Sequence, residues 1–301
     1  MRTNPTEPMA MTELRAHTTP SLADNVWTYL HDALATAWHV ASTMRRYPSW
    51  LLNLSIGPFL AILPFVFLGD TLVGRGNRLA GTYFDKLGYE GYVGYLVVPM
   101  IAVALSNTVF SWISGLLRME RRSGTLERIL VSVQFPSALF LGRALAHLAY
   151  MSLFVLATLL LVTIWIEPDF DVNVPSAIAA ISLHLAATYG LAFALSSLLL
   201  RVADAWSVQI VLSRAVLALL SGATFPIAIF PEWLQVIARM VPFTWAFDLE
   251  RRSLLRAEHL AEMWPDLLVL GAMSALCWLA GFFFLGRELD NARRTGVLGS
   301  F

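Results

Sequence analysis

The stretch YVGYLVVPMIAVALSNTVFSWISGLL, Tyr92 to Leu117, runs for 26 residues without a charge and meets Arg118-Met-Glu-Arg-Arg122 at its end. At about 1.5 Å per residue, a helix of this length exceeds the roughly 30 Å of hydrocarbon in a bilayer. Its apolar residues do not alternate with polar ones in short segments, so it does not read as a barrel strand. A charge-free run of this kind, closed by clustered arginines, predicts a membrane-crossing helix with a basic flank.

The composition agrees. The chain has 301 residues, 57% of them hydrophobic and only 14% charged, with a mean hydropathy of +0.64. A soluble domain carries about 25% charged residues. So few charges cannot cover a water-facing surface, which excludes a cytosolic globular enzyme and a disordered chain. The zero net charge also argues against a nucleic-acid binder.

Six apolar stretches are long enough to cross: Trp50–Leu68, Tyr92–Leu117, Ala138–Ile166, Ser176–Leu200, Ala205–Phe225 and Trp264–Gly286. Residues 1–20, polar and bearing Pro5, Pro8 and Pro20, lack the apolar core of a signal sequence and read as a flexible tail. Residues 21–301 read as one domain, with the spans in 50–286 and a cytoplasmic end at 287–301.

Basic residues orient the chain. With the N-terminus inside, thirteen arginines fall in inside segments, among them Arg45, Arg46, Arg118, Arg121 and Arg122. Seven basic residues fall outside, and the outer segment Glu167-Pro-Asp-Phe-Asp171 is acidic. Both termini are then expected in the cytoplasm, with the chain in the cell membrane.

Ahead of the first span, Trp27, Leu30, Leu34, Trp38, Ala41 and Met44 recur every three or four residues, opposite His31, Asp32, Thr36 and His39. This predicts an amphipathic helix over residues 24–46, capped by Asp24 or Asn25. It fits an interfacial helix, or a linker helix packed on other protein. After the fifth span, Pro226, Pro231 and Pro242 bracket a short helix with the stripe Trp233, Ile237 and Met240. At roughly ten residues it is too short to cross and reads as re-entrant or interfacial. Residues 243–256 form its return arm, with Asp248, Glu250, Arg251 and Arg252 expected at the outer surface.

Sites for chemistry are sparse. Cys277 is the sole cysteine, so no disulfide or cysteine metal site forms within the chain. Lys86, between Asp85 and Leu87, is the sole lysine and does not fit GxxxxGK[ST], so the chain carries no Walker A site. None of the six histidines belongs to an HExxH motif. Ser114 or Ser221 with His147 or His184 would serve a serine hydrolase, although histidines packed between helices explain the same residues.

The densest polar segment is Arg118 to Ser132. Within it Gly124 permits a sharp turn, Ser123 or Thr125 can cap, Glu127 suits a first helical turn, and Leu126, Ile129 and Leu130 share a face beside Arg128. A positive-inside anchor accounts for the arginines, but not for an apolar face placed in water, which calls for a partner.

Ser123-Gly-Thr-Leu-Glu-Arg-Ile-Leu130 resembles the coupling-helix signature of type-2 ABC exporter permeases. Gly222-Ala-Thr-Phe-Pro-Ile-Ala-Ile-Phe-Pro-Glu-Trp-Leu-Gln235, followed by Val241-Pro242, resembles the family's link from its fifth span into a re-entrant hairpin. The resemblance covers nearly the whole chain. One departure is Val133, where the family often has proline ahead of the proline that Pro136 matches.

The resemblance implies an all-α membrane protein: an interfacial helix, six transmembrane helices, a cytoplasmic coupling helix and an extracellular re-entrant helical hairpin. It further implies a dimer of permease chains on which two separate ATPase subunits dock. ATP and Mg would sit on those partners, with no cofactor or metal bound here. The expected cargo is a hydrophobic drug, lipid or glycolipid-like molecule. An intramembrane enzyme such as a lipid transferase or protease is the alternative, and an ion-coupled carrier a further one, although neither repeated halves nor mid-span acids are present.

In the pathway, Arg214 lies roughly ten residues beyond Asp204 and hence about mid-bilayer. It either contacts anionic cargo or pairs with protein. Tyr95, Phe110, Trp112 and Phe225 either line a groove or pack between helices.

Overall fold

The computed structural model describes residues 22–46, 92–122, 135–165, 170–198, 215–224 and 226–295, with isolated positions within 60–67 and 207–211. Among the described residues there are seven α-helices and no strand: α1 (Leu22–Met44), α2 (Tyr92–Arg122), α3 (Pro136–Trp165), α4 (Val174–Leu198), α5 (Glu232–Arg239), α6 (Pro242–Leu255) and α7 (Leu260–Thr295). Most of the expected span at 50–68, most of residues 205–214 in the fifth, and Phe225 and Lys86 lie outside the described residues.

Among the described residues, four helices are long and apolar enough to cross a membrane, over Gly94–Leu116, Pro136–Ile164, Val174–Ser197 and Leu260–Asn291. They correspond to the second, third, fourth and sixth expected spans. The starts of α2, α4 and α7 gather at one end, because Arg251 binds the Tyr95 carbonyl while Asn173 bonds His259. That common direction is what three even-numbered spans require.

Helix bounds move by a few residues for local reasons. Asn173, just ahead of α4, caps it by accepting from the Ser176 backbone N–H at 3.2 Å and the Ser176 hydroxyl at 3.0 Å, so the helix begins at Val174 with Pro175 in its first turn. Helix α1 begins before the expected caps: Asp24 lies in its first turn, and Thr28 donates to the Asp24 carbonyl. Helix α7 extends past both expected ends, with Pro265 early enough to be tolerated. The segment expected to stay helical to Phe225 instead closes in a π-helical turn, Val216–Leu220, followed by bends from Ser221 to Thr224.

Packing follows membrane logic. Lipid tails are as apolar as leucine, so helices associate through close van der Waals contact and hydrogen bonds. The most extensive pairing is α4 on α7. A Cβ at Gly190 would meet the backbone of Cys277 and Trp278 at 2.7 and 2.6 Å, and one at Gly281 would meet the Gly190 carbonyl at 2.8 Å. Ser274 donates across this seam to the Leu183 carbonyl at 3.1 Å. The outward faces of α3 and α7 are instead apolar and exposed, at Leu153, Leu156 and Leu160, and at Leu268, Leu276 and Leu279. Such stripes suit hydrocarbon.

Helix α1 lies against α3, with Ala33 buried and Tyr29 edge-on to Phe135. A Cβ at Gly142 would fall 2.2 Å from the Ala33 carbonyl. The stripe of Trp27, Leu30, Leu34 and Trp38 points away from this contact and is exposed.

Gly190→Val should force α4 and α7 apart, cost about 1–3 kcal/mol and lower the apparent unfolding temperature in detergent. Gly115→Ala is the control, since a Cβ there meets nothing within 4 Å. Equal unfolding temperatures for the two variants would contradict a glycine-dependent seam.

Candidate functional site

The segment from Ser221 to Leu255 folds back on the bundle as a hairpin. Gly222 adopts φ 71°, in the left-handed region that favours glycine. Pro226 precedes a single 3₁₀ turn, Ile227–Ile229, Pro231 caps the start of α5, and Pro242 is the first residue of α6. The three prolines therefore sit at element starts, where a missing N–H costs nothing.

Such irregular backbone leaves carbonyls to satisfy, and side chains of the hairpin do so. The Thr244 hydroxyl lies 2.6 Å from the Ala238 carbonyl and 3.1 Å from that of Leu220. Trp245 Nε1 donates to the Arg239 carbonyl at 2.9 Å, and Gln235 to that of Phe230 at 2.9 Å. Trp233 and Val236 on α5, with Met240 just past its end, leave an exposed apolar face.

Glu250 and Arg251, expected at the outer surface, are both buried, at 4% exposure each. The reason for Arg251 lies in α2. Pro99 has no N–H, so the Tyr95 carbonyl four residues earlier has no helical donor. Arg251 Nε supplies one at 3.1 Å, while Nη2 donates to the Gly222 and Ala223 carbonyls at 2.8 and 3.1 Å. Its guanidinium carbon lies 4.0 Å from the centre of the Tyr95 ring, a cation–π contact. One planar cation thus ties α6 to the broken turn of α2 and to the bend at Gly222.

Glu250 ties α6 to α4 and α2. Its Oε1 lies 2.8 Å from His184 Nδ1, and His184 Nε2 lies 2.7 Å from Ser106 Oγ. A carboxylate oxygen accepts, so Nδ1–H donates to Glu250, and Nε2 shares the second hydrogen bond with the Ser106 hydroxyl. Hydroxyl, imidazole and carboxylate follow one another as in a hydrolytic triad. Yet Ser106 and His184 are no more than 1% exposed, and the void beside His184 and Glu250 is about 20 Å³, room for one water and no substrate. The arrangement is a buried strut. The serines weighed as partners for His147 or His184 bond elsewhere: Ser114 donates to the Phe110 carbonyl and Ser221 to that of Leu217, while His147 packs against Trp112 and meets Tyr189.

Beside the strut lies a cleft of about 500 Å³ lined by Tyr95, Gly222, Ile227, Gln235, Arg239, Trp245, Asp248, Arg251, Arg252 and Arg256. Arg252 is held by Glu258, with Nε 2.7 Å from Oε2, and by Asp266. The hydrogen bond from Arg252 holds the Glu258 carboxyl below the usual carboxylate range.

Of the residues expected in a pathway, Tyr95 lines the cleft, Phe110 is buried edge-on to Phe243, and Trp112 stacks on His147 at 4.2 Å between ring centres. Of the three, Tyr95 alone lines this cleft. Arg214, Phe225 and the coupling segment Ser123–Ile129 lie outside the described residues. Sequence reasoning missed Ser106, His184, Glu250 and Arg251 as a unit. Its visible traces were the adjacent Glu-Arg pair in an otherwise apolar arm, and a proline early in a span.

Arg251→Lys keeps the charge but loses the planar fork, so it should destabilise by about 3 kcal/mol or more by thermal unfolding. Unfolding unchanged from the parent chain would refute the role given to that fork. Because folding lowers the Glu258 pKa, its ion pair contributes fully above the unfolded value of about 4.3 and is lost as pH falls through the folded value. The unfolding temperature should therefore fall as pH is lowered below about 4.3, with Glu258→Gln flattening that fall. Identical slopes would argue against it.

No curated protein matches the chain. The family model described as ABC-2 family transporter protein matches residues 79–283, from ahead of α2 through most of α7 and including the entire hairpin. The match spans well over half of the chain, which belongs to the ABC-2 transporter family.

Proposed function

We propose that this chain is the transmembrane permease subunit of an ATP-driven exporter. It works as a pair of permease chains with two ATPase subunits, and moves a hydrophobic drug, lipid or glycolipid-like molecule from the cytoplasm or inner leaflet. The observation that carries this reading is the family match across the bundle and its hairpin. Members of the family are membrane components of transporters and normally work with an ATPase partner.

The segment Ser123–Ile129, immediately after α2, is the docking point for the ATPase, with Glu127 transmitting its movement. Closure of the ATPase pair on ATP would displace this segment and rock the permease halves. Helix α2 suits such transmission. Its far end is fastened to the hairpin by Arg251, so displacement at one end is felt at the other. The arginine distribution supports an orientation with the coupling segment and both termini in the cytoplasm and the hairpin outside. The exposed tryptophan stripe of α1 suits the cytoplasmic interface. Arg214 would meet anionic cargo or a protein partner within the bilayer.

An intramembrane enzyme gains no support from the serine nearest a histidine, since Ser106 is fully buried.

In proteoliposomes containing the chain and its ATPase, Glu127→Ala should reduce ATP-dependent export by about tenfold or more, equivalent to about 1.4 kcal/mol of lost coupling. Membrane insertion should stay normal. Unchanged transport and unchanged cargo-stimulated hydrolysis would remove Glu127 from the coupling step.

A further inference from the structure

We propose that the cleft between α5 and α6 holds the headgroup of an anionic phospholipid of the leaflet on the hairpin side. Arg239, Arg251, Arg252 and Arg256 line it against one carboxylate, Asp248. Glu258 and Asp266 engage Arg252 from beside the cleft. Arg239 and Arg256 are exposed, and Arg239 stands in the last turn of α5. Arginine presents a planar fork of donors that matches a phosphate in two-point contact. The cleft, at about 500 Å³, has room for a headgroup.

The surroundings favour a lipid over a free anion. Ile227 and Trp245 line the same cleft, and the adjoining helix α5 exposes Trp233 and Val236, with Met240 exposed just past its end. These lie at the end of four helices of membrane-crossing length, where acyl chains would continue from a headgroup seated among arginines. The basic site and apolar flank together select an amphiphile with a negative head. The site does not depend on which cargo the permease carries.

The test uses the full chain, purified in neutral detergent and stripped of lipid, with its unfolding temperature followed against added ligand. Dioctanoyl phosphatidylglycerol should raise that temperature saturably, and dioctanoyl phosphatidylcholine should not. The Arg239→Ala/Arg256→Ala double variant should need about tenfold more phosphatidylglycerol for half the effect. Should the double variant not fold, Arg239→Gln on an exposed side chain should shift the titration in the same direction. Equal titrations for variant and parent, or equal effects of the two lipids, would overturn the proposal. Inorganic phosphate reproducing the effect at the same concentration would overturn the lipid assignment in favour of a free anion.

Discussion

The hairpin is held in place by the need to satisfy polar groups where water is scarce. Pro99 strips the Tyr95 carbonyl of its helical donor, and the bends at Gly222 and Ala223 expose two more carbonyls. Each such group left bare in hydrocarbon costs several kcal/mol. Arg251 answers all three, and its neighbour Glu250 is answered by His184, which Ser106 engages on the other ring nitrogen. Two adjacent charged side chains on a 14-residue helix therefore fix its position against α2, α4 and the preceding bend. The glycine seam between α4 and α7 provides the close-packed wall on which α6 also rests.

This arrangement separates two tasks. The interior polar groups are consumed in holding helices together and have no room for a substrate. The cleft beside them is open, basic and edged with apolar side chains, so recognition of an anion belongs there and not at the buried histidine. The segment that would receive an ATPase lies at the other end of α2. The proline that needs Arg251 is thus in the same helix that would carry motion from that segment.

Much of the fold was legible because the membrane simplifies the pattern. Long, charge-poor apolar runs marked the second, third, fourth and sixth spans as helices, and paired prolines marked α5 and α6. Boundaries shifted where single side chains decide them, as with Asn173 capping α4. The placement of Glu250 and Arg251 was not legible. A charged pair in a loop-side arm ordinarily seeks water, and the reason these two do not is a carbonyl about 150 positions earlier in the chain. His184 and Ser106 were likewise visible as residues but not as partners, since periodicity does not report which helix faces which. The basic cleft draws on residues from α2, the bend, α5 and α6, and no local motif announces it.

The chain belongs to the ABC-2 transporter family, whose members normally work with an ATPase partner, and the proposed function puts the source of energy on that partner. The most direct measurement compares ATP hydrolysis and cargo movement in liposomes containing this chain alone and in liposomes containing it with an ATPase subunit. The chain alone should show neither, and both should appear together when the ATPase is added. Hydrolysis or ATP-driven transport by the chain alone would contradict its assignment as a permease subunit.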